Sequence, residues 1–435
     1  MPGLLSIQTY ESYKDSGVDW LGDIPSEWNL LPLKYKLKFH TGGTPSSGIA
    51  SYYDGDLPWV TISDLNGRRT RKTHYLSKAG VRAANIPLSP KNSLLYSFKL
   101  SIGQVAFSHV DLYTNEAIAS FTPQDGLNLN YYFYALPIFL EHNAEVNIYG
   151  AKLLNQSRIS NATILDISES EQTAIANYLD KKTAQIEEAI VIKEKQIALL
   201  KERKQIIIQQ AVTQGLNPEV PKKDSGVEWI GEMPERWQLK RLKYVLDERN
   251  ERSKTGEEPL FMMSQIHGLV VRADYHEKAE VAASNIDNKI VYNNDLVFNK
   301  LKAHLGVFFK SNIDFKGLVS PDYAVYKPKA HIQDMKFLEI LFRHPKYIEQ
   351  FIIRATGIVE GLIRLYTDDL FDIAIAIPPE GEQIEILAFI ETESKKYDAS
   401  IELQKQQIEK LKEYKTTLIN NAVTGKIKVP GVIEG

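Results

Sequence analysis

Two long stretches of the chain repeat apolar side chains at steps of three, four and seven residues, the spacing of one helix face. In residues 171–213 these positions are Ile175, Leu179, Ile186, Ile190, Ile197, Leu200, Ile207 and Ala211. In residues 382–424 they are Ile386, Ile390, Tyr397, Ile401, Ile408, Leu411, Leu418 and Ala422. Neither interior contains proline or glycine, so each stretch predicts a helix of about 40 residues, roughly 60 Å long.

A helix with one apolar stripe needs a partner, and the simplest partner for each predicted helix is the other one. Packed antiparallel as a coiled coil, they would carry their attached domains at opposite ends. The alternative is a pair of solvated surface helices, but their length and matched register favour a spacer. Ser168 and Glu171 have the spacing of a capping box at the start of the first helix.

The whole chain is an internal duplication. Residues 14–35 (KDSGVDWLGDIPSEWNLLPLKY) match residues 223–244 (KDSGVEWIGEMPERWQLKRLKY) at 13 of 22 positions, and the two helical blocks share 14 of 43. We call residues 14–35 and 223–244 the first and second lead segments, and expect their four tryptophans to pack against the domains. The stretches between each lead segment and its helix show little mutual identity, so the frame is repeated while its contents differ.

This pattern predicts an α+β fold with pseudo-two-fold symmetry: two mixed α/β domains separated by two long antiparallel helices that form a coiled coil. The predicted divisions are residues 1–167 and 215–379 for the domains, 168–214 and 380–425 for the helices, and 426–435 for a tail.

Composition narrows the function classes. The chain has no cysteine, which excludes disulfides, thiolate zinc sites and cysteine nucleophiles and fits a reducing cytoplasm. Neither a signal peptide nor a membrane span is expected. The net charge is −3, yet residues 30–165 hold 13 Lys and Arg against 8 Asp and Glu. A basic region on an acidic frame is compatible with DNA binding by one part and protein contacts by another.

Each variable domain offers polar and cationic candidates for DNA contact. The first has the tight loop TGGTP at residues 41–45, a cluster of four cations in five residues, and a strand–loop–strand pattern at 94–107; the cation cluster could equally be a solvated turn. The second has a matching strand–loop–strand pattern at 296–309 and a polar strand edge near residue 265. The candidate DNA-binding residues are Thr41, Thr44, Arg68, Arg69, Arg71, Lys72, Lys99, Ser101, Gln104, Ser264, Gln265, His267, Arg272, Asn299, Lys300, Lys302 and His304.

Catalytic motifs are missing from the sequence. The TGGTP loop lacks the Gly-Lys-Ser/Thr ending of a phosphate-binding loop, and neither an HExxH zinc motif nor an adenine-methyltransferase tetrapeptide is present. Glu-x-Lys triplets at Glu202 and Glu413 lie on the predicted helices, where such spacing is routine surface charge.

The segment WVTIS at residues 59–63 predicts a strand in the first variable domain.

The two lead segments, the GGTP…YYDGDLPWVTISDL run and the IPPEGEQ start of the last helix resemble the specificity subunits of type I restriction-modification systems. The resemblance covers essentially the whole chain, although residues 167–172 (ISESEQ) lack the family's prolines. It implies two target-recognition domains that each read half of a bipartite DNA sequence. It also implies two modification subunits that use S-adenosylmethionine and two restriction subunits that use ATP and Mg, with no cofactor, metal or catalytic residue in this chain.

Two other functions stay open at this point. One is a solitary methyltransferase or nuclease, which would turn over DNA without partners. The other is a coiled-coil scaffold without DNA contact, for which alanine at Arg68, Arg69 and Lys72 would leave the salt dependence of DNA binding by the assembled complex unchanged. Activity of the purified chain and the salt dependence of DNA binding by the assembled complex distinguish them.

Overall fold

A computed structural model of the chain describes residues 8–71, 74–99, 101–146, 152–275, 285–357 and 364–431, without the side chains of residues 303 and 304. The chain divides into two compact units: unit 1 comprises Met1–Lys193 and Gln406–Gly435, and unit 2 comprises Glu194–Lys405. Each unit therefore combines one variable domain with the start of one long helix and the end of the other. The division into five sequence segments stays a prediction.

The strands and helices have the following bounds. In the first variable domain they are β1 (Tyr13–Asp15), β2 (Asp23–Pro25), β3 (Asn29–Pro32), β4 (Phe39–Thr41), β5 (Leu57–Val60), β6 (His74–Leu76), α1 (Lys78–Ala83), β7 (Leu94–Ser97), β8 (Val105–Phe107), β9 (Tyr113–Thr114), β10 (Ile118–Phe121), α2 (Leu129–His142), β11 (Glu145–Val146), β12 (Lys152–Leu153), α3 (Gln156–Asn161) and β13 (Thr163–Asp166), followed by the long helix α4 (Glu169–Gln214). In the second they are β14 (Lys222–Asp224), β15 (Glu232–Pro234), β16 (Gln238–Arg241), β17 (Leu246–Glu248), β18 (Phe261–Ser264), β19 (Gly268–Val271), β20 (Lys289–Val291), β21 (Leu296–Asn299), β22 (Phe308–Lys310), β23 (Gly317–Val319), β24 (Tyr323–Pro328), α5 (Lys336–Leu341), α6 (Pro345–Arg354), α7 (Thr367–Phe371) and β25 (Ala374–Ile377), followed by the long helix α8 (Glu380–Val423).

Each variable domain contains its own four-stranded sheet, and the two sheets have the same strand order despite the different sequences. Unit 1 has a four-stranded antiparallel sheet in the order β4-β10-β7-β8, and unit 2 has β17-β24-β21-β22. The predicted strand–loop–strand patterns are the hairpins β7–β8 and β21–β22, which occupy equivalent positions. The two lead segments also match, since β1 pairs with β2, and β14 with β15, in the same way.

The strand predicted at residues 59–63 is displaced. β5 begins at Leu57 and ends at Val60, and a 3-10 turn follows at Ile62–Asp64. Asp64 ends the strand because its carboxylate accepts hydrogen bonds from the backbone N–H and the hydroxyl of Thr61. A local side-chain cap thus overrides the strand propensity of the β-branched run.

The long helices run antiparallel. In unit 1 Glu187 of α4 contacts Lys415 of α8 at 2.6 Å. Further along α4, Lys193 donates a hydrogen bond to Gln407, which lies before Lys415 on α8, so the two helices run in opposite directions. In unit 2 Lys204 contacts Asp398 at 2.7 Å. The fourteen Ile, Leu and Tyr positions of the predicted stripes are all buried or half-buried, as are Ala211 and Ala422. The predicted fold class, two mixed domains with an antiparallel coiled coil, is confirmed.

The repeated Glu-Gln at each helix start has a structural role. The side chains of Gln172 and Gln383 are buried, and each donates a hydrogen bond to the carbonyl five residues earlier, at 3.0 and 2.9 Å. Ser168 caps α4 as predicted, because its hydroxyl accepts from the N–H of Glu171 at 3.2 Å. The carboxylate of Glu171 does not complete the box; it accepts from the Tyr10 hydroxyl at 2.9 Å.

Each long helix ends on a tryptophan of a lead segment. The glycines that follow α4 and α8, Gly215 and Gly425, have φ values of +77° and +74° and lie against Trp237 and Trp28 respectively. Both tryptophans are buried, so the packing role expected for them fits the structure. The end of α8 belongs to the core of unit 1, where Leu418, Ala422 and Val423 pack with residues of the first domain.

Candidate nucleic-acid interface

Five candidates of unit 1 lie at one end of its four-stranded sheet. Thr41 ends β4, Thr44 follows in the GGTP loop, and Lys99, Ser101 and Gln104 lie in the turn between β7 and β8. Lys99, Ser101, Gln104 and Thr44 are exposed, and Thr41 is half-buried. Antiparallel pairing brings these segments to the same sheet end, so a common polar surface forms there.

The glycines of the GGTP loop allow this arrangement. A Cβ on Gly42 would lie 1.9 Å from the carbonyl oxygen of Thr114, so only glycine permits this close approach of two backbones. Thr41 accepts a hydrogen bond from Gln156 at 2.5 Å, and Thr44 donates to the Glu116 carboxylate. The loop is therefore held against β9 and β10 with its polar side chains at the surface.

Arg68 has a different environment from the other candidates. Its guanidinium donates to Asp180 of α4 at 2.8 Å, to Asn130 at 2.9 Å and to the Tyr134 hydroxyl at 3.2 Å. It also lies 4.7 Å from the ring centroid of Phe133. These contacts hold the first domain against α4 and engage much of the guanidinium, although the side chain stays 38% exposed.

The rest of the cation cluster lies beside Arg68. Arg69 is exposed and donates to Asn92 at 2.9 Å, and Arg71 is exposed. Lys72 lies outside the described residues. Arg69 forms an isolated β-bridge with Phe107, the last residue of β8. The β7–β8 turn lies at the other end of that hairpin. The structure thus separates the cation cluster from the polar surface formed by Thr41, Thr44 and the turn.

In unit 2 the equivalent sheet end carries Asn299, Lys300 and Lys302. Asn299 accepts from the N–H of Leu301 at 3.0 Å and is committed to the turn, while Lys302 is exposed. The side chain of His304 lies outside the described residues. The sequence predicted a polar basic loop here; the chain forms 3-10 turns within Lys300–Leu305, interrupted by a kink at Lys302.

A partly buried ion network lies beside this turn. Glu248 lies 3.2 Å from Lys289 and 3.6 Å from Lys300. Burial opposes ionisation of Glu248, but a hydrogen bond from Thr367 and the two ammonium groups outweigh it, and the pKa of Glu248 is lowered. Burial lowers the pKa of Lys289 against the opposing effect of Glu248. The network ties Lys300 to the sheet, and no sequence pattern indicated it.

The remaining candidates of unit 2 lie on the hairpin β18–β19. Ser264 accepts hydrogen bonds from the N–H groups of Ile266 and His267, so it shapes the turn. Gln265 and His267 are exposed, and Arg272 is half-buried at the start of a 3-10 turn. Ile266, which sequence reasoning missed, is 86% exposed between them. Its signal was an isolated apolar residue inside a polar turn, Ser-Gln-Ile-His-Gly.

Metal sites and membrane spans are both absent from the described residues. They contain no group of three or more His, Asp or Glu side chains placed to hold a metal ion. In the same parts of the chain, every helix is too short or too polar to cross a membrane.

Comparison with known proteins gives consistent matches. Residues 25–196 match the family described as type I restriction modification DNA specificity domain. The type I restriction enzyme MjaIX specificity subunit of Methanocaldococcus jannaschii is 23% identical over 429 residues, covering 94% of this chain and 95% of that protein. The HindI specificity subunit of Haemophilus influenzae is 24% identical over 167 residues, 38% of this chain and 36% of that protein.

Two solved structures share the fold. A chain from a type I R-M system, studied for its complex assembly and conformational transition, has a TM-score of 0.64 at 14% identity and covers 92% of this chain and 98% of its own length. The HsdS subunit from Thermoanaerobacter tengcongensis has a TM-score of 0.55 at 13% identity, with coverage of 93% and 98%. Residues 25–196 thus match the type I restriction modification DNA specificity domain, and the resemblance of the whole chain to type I specificity subunits is confirmed.

Proposed function

We propose that this chain is the non-catalytic DNA-recognition subunit of a type I restriction-modification complex, which reads a two-part target with a fixed unread gap. One observation carries the proposal: two sheets of identical strand order present unlike side chains at equivalent ends. A frame that is repeated while its exposed residues differ is suited to holding two different sequence readers. Polar and cationic side chains at those ends can contact base edges and phosphates.

The long helices provide the spacing in this proposal. α4 has 46 residues, about 69 Å at 1.5 Å per residue. Since DNA rises about 3.4 Å per base pair, a rod of this size can span roughly 20 base pairs. The gap in the target would follow from helix length and not from the domains themselves.

The partners would be double-stranded DNA, two modification subunits and two restriction subunits, in the cytoplasm. S-adenosylmethionine, ATP and Mg would bind to the partner subunits. The exposed Lys, Glu and Gln faces of α4 and α8 offer docking surface for them. Purified chain incubated with DNA and S-adenosylmethionine should transfer no methyl groups, and turnover by the chain alone would refute the non-catalytic role.

The proposal is tested by mapping methylated adenines in cells with and without this chain. A two-part motif should vanish when the chain is removed, and a motif without a gap would contradict the proposal. A sharper version inserts seven residues after Lys193 and seven before Gln406, where Lys193 and Gln407 face each other. The gap should then grow by about 3 base pairs, since seven residues add about 10.5 Å, and the half-sites should stay the same.

The control variant substitutes helix-forming polar residues for exposed residues next to the two insertion sites and inserts none. The gap in its target should be unchanged. Altered half-sites in the insertion variant would show that the helices do not act as a spacer.

A further inference from the structure

The tip of the β18–β19 hairpin exposes an aliphatic side chain to an unusual degree. Ile266 is 86% exposed, more than any other large apolar residue among the described parts of the chain. Its flanking residues Gln265 and His267 are polar and exposed. The described residues leave most of the Ile266 side chain uncovered.

The tip is held in a defined conformation. The Ser264 hydroxyl accepts hydrogen bonds from the N–H groups of Ile266 at 3.3 Å and His267 at 3.2 Å. Ser264 pairs with Gly268, whose φ of +78° closes the three-residue turn. Phe261 at the base and Leu269 nearer the tip belong to a buried cluster with neighbouring strands. Ile266 is therefore presented by a hydrogen-bonded turn on a packed hairpin.

Cations and a second ring surround this tip. The His267 ring lies 4.9 Å from the ring of Tyr275, which is 47% exposed. A cleft beneath the hairpin is lined by Lys336 and Arg343, which share the carboxylate of Glu339 at 2.7 and 2.9 Å. Two cations on one carboxylate leave a positive charge beside the hairpin.

We propose that this hairpin enters the major groove of the second half-site and that Ile266 packs on the C5 methyl group of a thymine, with Lys336 and Arg343 near the phosphates. The inference rests on the proposed DNA-recognition function. The major groove admits a two-stranded β-ribbon, and the thymine methyl is the one apolar group that a base pair displays there. An aliphatic side chain at the tip of a hydrogen-bonded turn, between an amide and an imidazole, fits that surface.

The test is a protein–DNA double-mutant cycle with the complex of this chain and its modification subunit, co-expressed and purified. Each thymine of the mapped target is replaced in turn by uracil, which removes only the methyl group. One uracil should weaken binding of the wild type about 4-fold, the value of about 0.8 kcal/mol for one buried methyl-sized group. I266A should bind the thymine target at least 4-fold more weakly and should not distinguish uracil from thymine at that position.

I353A is the matched control, because Ile353 is 66% exposed on α6 of the same unit and should leave both affinities unchanged. Equal uracil penalties for wild type and I266A at every thymine would overturn the inference. So would a half-site without any A·T pair, or fluorescence of 2-aminopurine showing that Ile266 separates two stacked bases instead. These outcomes leave specific binding of a two-part target intact, whereas absence of such binding by the wild-type complex would refute the proposed function itself.

Discussion

Replacing Gly425 by alanine tests whether the end of α8 is locked onto the first lead segment. The residue has φ +74°, and a Cβ there would lie 2.5 Å from Cδ of Pro25 and 2.7 Å from the Trp28 ring. The left-handed backbone costs alanine roughly 1–2 kcal/mol, and forcing the two rings apart adds about 1–3 kcal/mol. We expect G425A to destabilise unit 1 by about 2–5 kcal/mol.

Two other glycines separate the backbone cost from the steric cost. Gly17 has φ +68° with nothing within 4 Å of its Cβ position, so G17A should show the backbone cost of roughly 1–2 kcal/mol alone. Gly215 ends α4 in the same way, but the nearest atom to its Cβ position is the flexible Glu382 carboxylate at 2.7 Å. G215A should therefore resemble G17A more than G425A. Asparagine tolerates left-handed backbone, so G17N should recover stability and G425N should not.

The assay is urea unfolding together with hydrogen exchange of the amides in both lead segments. G425A should increase exchange throughout β1 and β2 and leave β14 and β15 as in the wild type. If G425A costs no more than G17A, or if G425N restores stability, then the first lead segment is not packed tightly against the end of α8 and the reasoning is wrong.

Three further changes probe other contacts. The side chains of Arg68 and Asp180 are 38% and 39% exposed, so a double-mutant cycle of R68A and D180N in urea unfolding should give a coupling of only about 0.2–1 kcal/mol; zero coupling would remove the tie to α4. Since the pKa of Glu248 is lowered in the folded state, its stabilisation is present above its unfolded pKa, near 4.5, and is lost as pH falls through the folded value. E248Q should make unit 2 less stable at neutral pH and flatten its further loss of stability on acidification, and an unchanged slope would contradict the assignment. Leu179 is fully buried and L179A should cost about 2–5 kcal/mol, whereas L199A, at a side chain 63% exposed, should change stability by no more than about 0.5 kcal/mol; equal losses would mean that the buried face is misassigned.

The sequence predicted those parts of the fold whose periodicity is local. The stripe from Ile175 to Ala211 specifies one helix face through its spacing alone, and the β7–β8 hairpin follows from two apolar runs around a glycine. The hydrogen-bond partner of Arg68 could not be predicted, because Asp180 lies 112 residues later and only folding brings the two side chains together. Lys289 is similar: lysine side chains are mostly exposed in proteins, but this one is buried beside Glu248.

The candidate site was predicted only by residue type. Cationic and amide side chains near turns made residues at both sheet ends candidates, but Ser264 and Asn299 are engaged by the backbone of their own turns. Sequence reasoning misses Ile266, because an apolar residue normally indicates a buried position. Exposure at a hairpin tip depends on the pairing partner of each strand, which a single sequence does not state.

The packing of α8 bears on how such a chain arose. Leu418 and Ala422 belong to the second repeat, yet they complete the core around Ile175 and Leu179 of the first. A single-repeat ancestor would have lacked those side chains unless a second copy supplied them, which makes a homodimer its natural form. Gene fusion would then have replaced an association that depends on concentration with an intramolecular one of millimolar effective concentration. Under the proposed function, fusion would also let one domain change its sequence preference while the other stayed fixed, so that asymmetric targets became accessible to a frame that began as a symmetric one.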